Sequence, residues 1–309
     1  MKNLKYIVFI LVVISFIFWI TTTQNRIGKN KIIPKPLISL STFSLYDIAK
    51  HVAKESVELV MILPFGVDPH SFEPTPKLMA KISKSDLVVY SGAGLEPWTD
   101  GFDFKGKVVD MSKYVKLRKL GLDHQHHGQH RELGSFDPHY WLDIQNMIKA
   151  TNLITDELIK ISPKNKEVYL KNRDIYIQNL KKLDNYYQKV LHTCQEDTII
   201  VNHNAFSYMA NSYNFHVKSL SGLSPEAQPS AKKMIELVKE IKEHNISTVF
   251  FESFASAKAI QSVANEANIK VDVLQPLGNI TAYEAKQKLS FEDIMKINLQ
   301  KISKALKCQ

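Results

Sequence analysis

Arginine is scarce in this chain: of forty basic residues only Arg26, Arg118, Arg131 and Arg173 are arginines. A phosphate-binding stripe concentrates cations on one face, whereas lysines spread thinly solvate a surface, so the net charge of +9 does not point to a nucleic-acid partner. Cysteine is scarcer still, with Cys194 and Cys308 alone. No cysteine stands near position 20, which argues against a lipid attached there, and in an oxidising exported compartment the two can pair, with two unpaired thiols as the alternative. The chain has no His-Glu-x-x-His and no nucleophile elbow, which weighs against a zinc hydrolase or a serine hydrolase. Nor does it contain a Gly/Ser-rich hinge, so wide clamshell motion is less expected than a small shift.

What is present begins with an export segment. Lys2 and Lys5 precede fifteen uncharged, almost wholly apolar residues from Tyr6 to Ile20. Residues 1–24 therefore read as a signal peptide or a retained N-terminal anchor, with no small-x-small cleavage site to decide between them and a run short of the roughly twenty residues that span a bilayer. About 285 residues follow, enough for two domains of ordinary size.

Beyond the lead KNKIIPKPL, apolar runs alternate with amphipathic stretches. LISLST, VELVMIL, DLVVYS and KVVDMS read as buried strands, with helices at about 44–54 and 75–84 among them. The pattern restarts with DTIIVNH, FHVKSL, STVFFES and VDVLQ, accompanied by helices at about 205–213, 230–243, 256–267 and 290–306. Continuous apolar strands alternating with helices predict an α/β fold with parallel sheets covered on both faces, here in two lobes. Between them Tyr169, Tyr176, Leu180, Leu183, Tyr187 and Leu191 recur at helical spacing behind a candidate N-cap, Ser162, and Pro163 at the first helical position. The expected organisation is an N-terminal lobe over 31–160, one stiff linking helix over 162–194 and a C-terminal lobe over 196–309.

Eleven histidines are distributed unevenly. His124, His126, His127 and His130 crowd into HQHHGQH, a composition that binds metal weakly without defined geometry. Three others stand beside strand or helix ends: His70 in VDPHSFEPTP after a strand, His139 in FDPHYWLD before a helix, and His203 in IIVNHNAF at the end of the second half's first strand. Each Asp-Pro-His tripeptide restrains the backbone before its imidazole and supplies a carboxylate. Neutral imidazole suits zinc, and donors drawn from two lobes close an ion into the interface. His51, His192, His216 and His244 lack such a setting and read as surface or packing residues.

VDPHSFEPTP, FDPHYWLD, VNHNAFSYMA, SPEAQPSAKKMIELVKEIKEHNISTVFFES and VLQPLGN resemble, in order, the characteristic segments of the periplasmic zinc- and manganese-binding proteins of ABC importers. The resemblance covers the chain from about residue 37 to its end. It implies two (β/α)4 lobes with parallel sheets joined by one long backbone helix, a metal held between them, and His70, His139 and His203 as three of its ligands. Many members read Asp-Pro-Leu-Gly at the fourth position, where this chain reads Gln275-Pro276-Leu277-Gly278. A neutral amide is a poor zinc donor, so water, Glu252 at a strand end or, last, Gln275 would complete the shell. HQHHGQH falls where zinc-type members carry a His-rich insertion, and it resembles a low-affinity collecting loop.

The expected function is high-affinity capture of Zn²⁺, as transported ligand, outside the inner membrane and delivery to an ABC permease, by a periplasmic monomer that makes or breaks no bond. A manganese or iron carrier of the same fold is the nearest alternative, followed by an exported adhesin or metal chaperone and by a zinc hydrolase. Because imidazole binds metal only when neutral, affinity is expected to fall below roughly pH 6.

Overall fold

The eight apolar runs become eight short strands in two parallel sheets. The structure is a computed structural model that describes residues 11–16, 18–19, 34–119, 136–221, 230–244, 246–253 and 258–309. Of residues 1–24 only 11–16 and 18–19 are described, and they are helical. Among the described residues no helix is long and apolar enough to cross a membrane.

In the first sheet β1 (Leu37–Leu40) leads through helix α1 (Phe43–Ala53) to β2 (Glu58–Met61), then through α2 (Pro76–Ile82) to β3 (Leu87–Tyr90) and on to β4 (Lys107–Asp110). Their order is β2-β1-β3-β4, all parallel. Ile38, Leu40, Leu87, Val88 and Val89 are fully buried, which is why these strands read as unbroken apolar runs rather than as alternation. A pair the sequence pattern did not reveal follows: β5 (Arg118–Lys119) runs antiparallel to β6 (Phe136–Asp137). Two-residue strands carry no periodicity to detect. Helices α3 (Ile144–Ile161) and α4 (Lys166–Leu191) then lead to the second sheet. It comprises β7 (Thr198–Val201), β8 (His216–Ser219), β9 (Thr248–Glu252) and β10 (Lys270–Leu274), ordered β10-β9-β7-β8 and again all parallel. Helices α5 (Ser207–Tyr213), α6 (Ala231–Glu243) and α7 (Lys258–Ala267) alternate with these strands, and α8 (Ala282–Lys286) and α9 (Phe291–Ala305) close the chain.

The linking helix is shorter than its periodicity suggested. Ser162 does not cap it; Pro163–Asn165 forms a 3-10 turn, and the Ser162 hydroxyl instead accepts from Asn165 Nδ2 at 2.9 Å. The remaining 26 residues of α4 span roughly 39 Å. Its buried face is the expected one, Tyr169, Tyr176, Leu180, Leu183, Tyr187 and Leu191, with Asn172 added. Asn172 is there to make a polar contact. Its Nδ2 donates to Val52 O of α1 at 2.9 Å, and nearby Tyr176 OH donates to Asp47 Oδ2 at 2.9 Å. Farther along, Tyr187 OH donates to Met295 O of α9 at 2.5 Å. One apolar cluster consequently joins Ile38 and Leu40 of the first sheet, the α4 face, and Ile199 and Val201 of the second. Residues 36–309 form a single compact unit. Just past α4, Cys194 is bonded to Cys308.

Candidate metal centre

In open parallel sheets, ligands gather at the carboxyl ends of strands, beside the point where the chain reverses its direction of travel across the sheet. In the second sheet that point lies between β7 and β9. His203 follows β7, and Glu252 is the last residue of β9. The corresponding point of the first sheet, between β1 and β3, is filled from within. Glu96, 5% exposed, accepts from Ser41 Oγ at 2.5 Å and from the amides of Ser91 and Gly92, both at 2.9 Å. Burial pushes its carboxyl up to about 7 against those three hydrogen bonds. The first half therefore presents its histidines from other loops: His70 after β2, and His139 between β6 and the 3-10 turn Tyr140–Leu142.

Both Asp-Pro-His tripeptides form the same local turn, the aspartate Oδ1 accepting from the histidine amide at 3.0 Å for Asp68 and His70 and 2.9 Å for Asp137 and His139. The three loops bring the rings together. His139 Nε2 lies 3.1 Å from His70 Nε2 and 3.3 Å from His203 Nε2, and the ring centroids are 5.1 to 5.7 Å apart. One donor atom from each sits within 4.8 Å of the others, the only such grouping of His, Cys, Asp and Glu among the described residues.

Carboxylates decide which nitrogen faces inward. Asp137 Oδ1 also accepts a hydrogen bond from His139 Nδ1 at 2.7 Å, which leaves Nε2 as the lone-pair atom. Glu252 Oε1 contacts His203 Nδ1 in the same sense. Asp137 is itself secured, with Ser207 Oγ donating to its Oδ2 and Tyr208 OH to its backbone carbonyl at 2.7 Å. Burial would raise the Asp137 carboxyl, but His139, Ser207 and the His139 amide outweigh burial and hold it below the usual carboxylate range. Three lone pairs converging at hydrogen-bond distance in a buried pocket suit a nitrogen-seeking cation.

Burial, together with the neighbouring His139 and His203 imidazoles, lowers His70 to about 2. In the unfolded chain that imidazole takes a proton below about 6.5. This part of the stability is therefore fully present above about 6.5 and is lost progressively as pH falls.

Asp68, Pro69, Trp141, Pro276, Gly278 and Asn279 complete the pocket wall. Gln275 turns away: its Nε2 donates to Ser253 Oγ at 2.8 Å and Glu284 Oε2 at 2.9 Å. His51 packs on Tyr176 and bonds to Asp47 O at 2.8 Å, while His192, His216 and His244 are exposed. His124, His126, His127 and His130 lie outside the described residues, as does the whole SPEAQP stretch, residues 224–229. Sequence reasoning overlooked Trp141, Asn279 and Ser207. All three lie inside motifs already singled out, and only their long-range partners distinguish them.

Residues 38–305 match the family described as ZnuA, zinc-uptake complex component A, periplasmic. The chain is 33% identical over 273 residues to the high-affinity zinc uptake system protein ZnuA of Bacillus subtilis, covering 85% of each. It is 33% identical over 269 residues to the zinc-binding lipoprotein AdcA of Streptococcus pneumoniae, covering 84% of this chain and 53% of the lipoprotein, so it spans about half that relative's length. The crystal structure of the Zn(II)-bound ZnuA-like domain of the same AdcA superposes with a TM-score of 0.73 at 30% identity, over 88% of this chain and 99% of that domain. With both sheets and the helix between them inside the match, the chain belongs to the ZnuA family of zinc-uptake solute-binding proteins.

Proposed function

We propose that this protein captures Zn²⁺ in the periplasm, on His70, His139 and His203, and delivers it as a monomer to an ABC permease of the inner membrane. The observation that carries the reading is the convergence of three buried or half-buried Nε2 atoms. Two of their rings are aimed by Asp137 and Glu252. The zinc-binding descriptions of the relatives support the choice of metal. The protein is a transport component and not an enzyme. Manganese and iron favour more oxygen donors than this pocket supplies, which argues for zinc. Metal analysis of the purified exported chain, followed by competition between Zn²⁺ and Mn²⁺, tests the reading: preferential retention of manganese would refute it.

Tetrahedral zinc needs a fourth donor. Water fills that role in this reading, because the Gln275 amide is engaged by Ser253 and Glu284 and Glu252 Oε1 is committed to His203. Gln275→Ala is accordingly expected to change zinc affinity by less than about tenfold, below the upper range for an outer partner. A loss near a hundredfold would bring Gln275 into the coordination shell.

The His-rich cluster gathers ions without setting the tight affinity, since it lacks fixed spacing. Deleting residues 124–130 should remove weak zinc equivalents from a titration and leave one tight site. Loss of the tight site would overturn this role.

A further inference from the structure

Residues 275–281, the turn after β10, follow the second sheet in the chain but bond to the first half. Gly278 O accepts from Phe43 N at 2.9 Å, Ile280 O from Gly66 N at 2.9 Å, and Pro276 O from Trp141 Nε1 at 2.7 Å. The approach is close: a Cβ on Gly278 would lie 3.2 Å from both Pro69 Cγ and Trp141 Cζ2, so only glycine fits without displacing the wall beside His70 and His139.

At the centre of this turn is a side chain that the zinc-binding reading does not use. Asn279 is 0% exposed. Its Nδ2 donates to Pro64 O at 2.7 Å and Val67 O at 2.8 Å, while its Oδ1 accepts from Ile280 N at 2.8 Å. Both Nδ2 protons are thus spent on the backbone of the loop that carries His70. That loop, between β2 and α2, contains neither helix nor strand, so its path depends on what it is tied to. The other two imidazoles are steered through their rings by Asp137 and Glu252, whereas the hydrogen bond within the His70 turn runs through its backbone amide, to Asp68.

We propose that Asn279 is a positioning residue for His70, holding from the second half the backbone that delivers the first half's imidazole to the shared pocket. The proposal rests on the reading of His70, His139 and His203 as zinc donors. Truncating Asn279 leaves the Pro64 and Val67 carbonyls without these donors in the interior. The loop must shift to recover partners, and a displacement of about 1 Å is enough to spoil a coordination geometry.

The test is a double-mutant cycle on the full chain, with Zn²⁺ affinity read by competition against a chelator. Asn279→Ala is expected to weaken binding by about 10 to 100-fold when His70 is present. With His70 already replaced by alanine, the same change should cost less than about twofold, because the residue it positions is gone. Asn279→Ser keeps a single donor; its loss should fall between, and it carries the same cycle if the alanine variant does not fold. Wild-type affinity in both Asn279 variants, or an equal loss with and without His70, would overturn the proposal. His70→Ala binding as tightly as wild type would instead overturn the zinc-donor reading on which it rests.

Discussion

His139→Ala is expected to lower zinc affinity by more than about 100-fold in a chelator competition. The loss should exceed the 10 to 100-fold typical of an outer partner if, as proposed, the change deletes a donor. His139 is the vertex of the cluster, since its Nε2 lies 3.1 Å from that of His70 and 3.3 Å from that of His203. His139 is 2% exposed, so its position is closed off from the surface. Two imidazoles and water remain, while Asp137 keeps Ser207 but loses the ring it orients. Unfolding of the metal-free variant separates a lost donor from a lost fold: near-native stability with weak binding is the expected pair. Wild-type binding by a folded variant would remove His139 from the site.

Replacing Cys308 with serine is expected to lower the melting temperature of the metal-free protein by about 10 °C and to leave zinc affinity unchanged. The bond joins residues 114 apart, and closing a loop of about that length removes roughly 5 kcal/mol of unfolded-chain entropy. At about 2 °C per kcal/mol, the low end that suits a large domain, that loss becomes the stated shift. The same ends are also held by the Gln195 and Glu196 amides donating to Leu306 O, at 3.2 and 3.0 Å, so the native geometry survives the substitution. Neither cysteine lines the histidine pocket. Thermal unfolding under oxidising conditions, alongside the chelator competition, checks both halves of the expectation. A shift below about 2 °C would show that the bond does not form or does not matter.

The same contrast between local and distant partners separates what could be read from the chain from what could not. Every strand run in the pattern holds a strand, most plainly in the central strands β1, β3 and β7, where burial on both faces favours apolar runs, and the α4 face follows from helical spacing alone. His70, His139 and His203 were legible one by one, from Asp-Pro-His and from a strand end. Those are signals confined to a few neighbouring residues. HQHHGQH was equally conspicuous, yet composition alone could not rank it against them.

The partners were decided by the tertiary structure. Glu252 read as a candidate fourth donor until the β7-β9 pairing set it against His203. Gln275 read as the last-ranked donor, but only the fold shows its amide engaged by Glu284 and Ser253. The start of α4 moved from Ser162 to Lys166, because Pro163–Asn165 turn as 3-10 helix and Asn165 Nδ2 donates to Ser162 Oγ. Asn279 stood at the end of VLQPLGN, but nothing local marked its partners, since those carbonyls lie 215 and 212 residues away. Sequence periodicity reports which face of an element is buried, as burial repeats with the element's own geometry. It holds nothing about which distant polar atom that burial will present, so the sequence by itself determined the two sheets, the joining helix and the three imidazoles, and only the folded chain determined how those imidazoles are aimed and held.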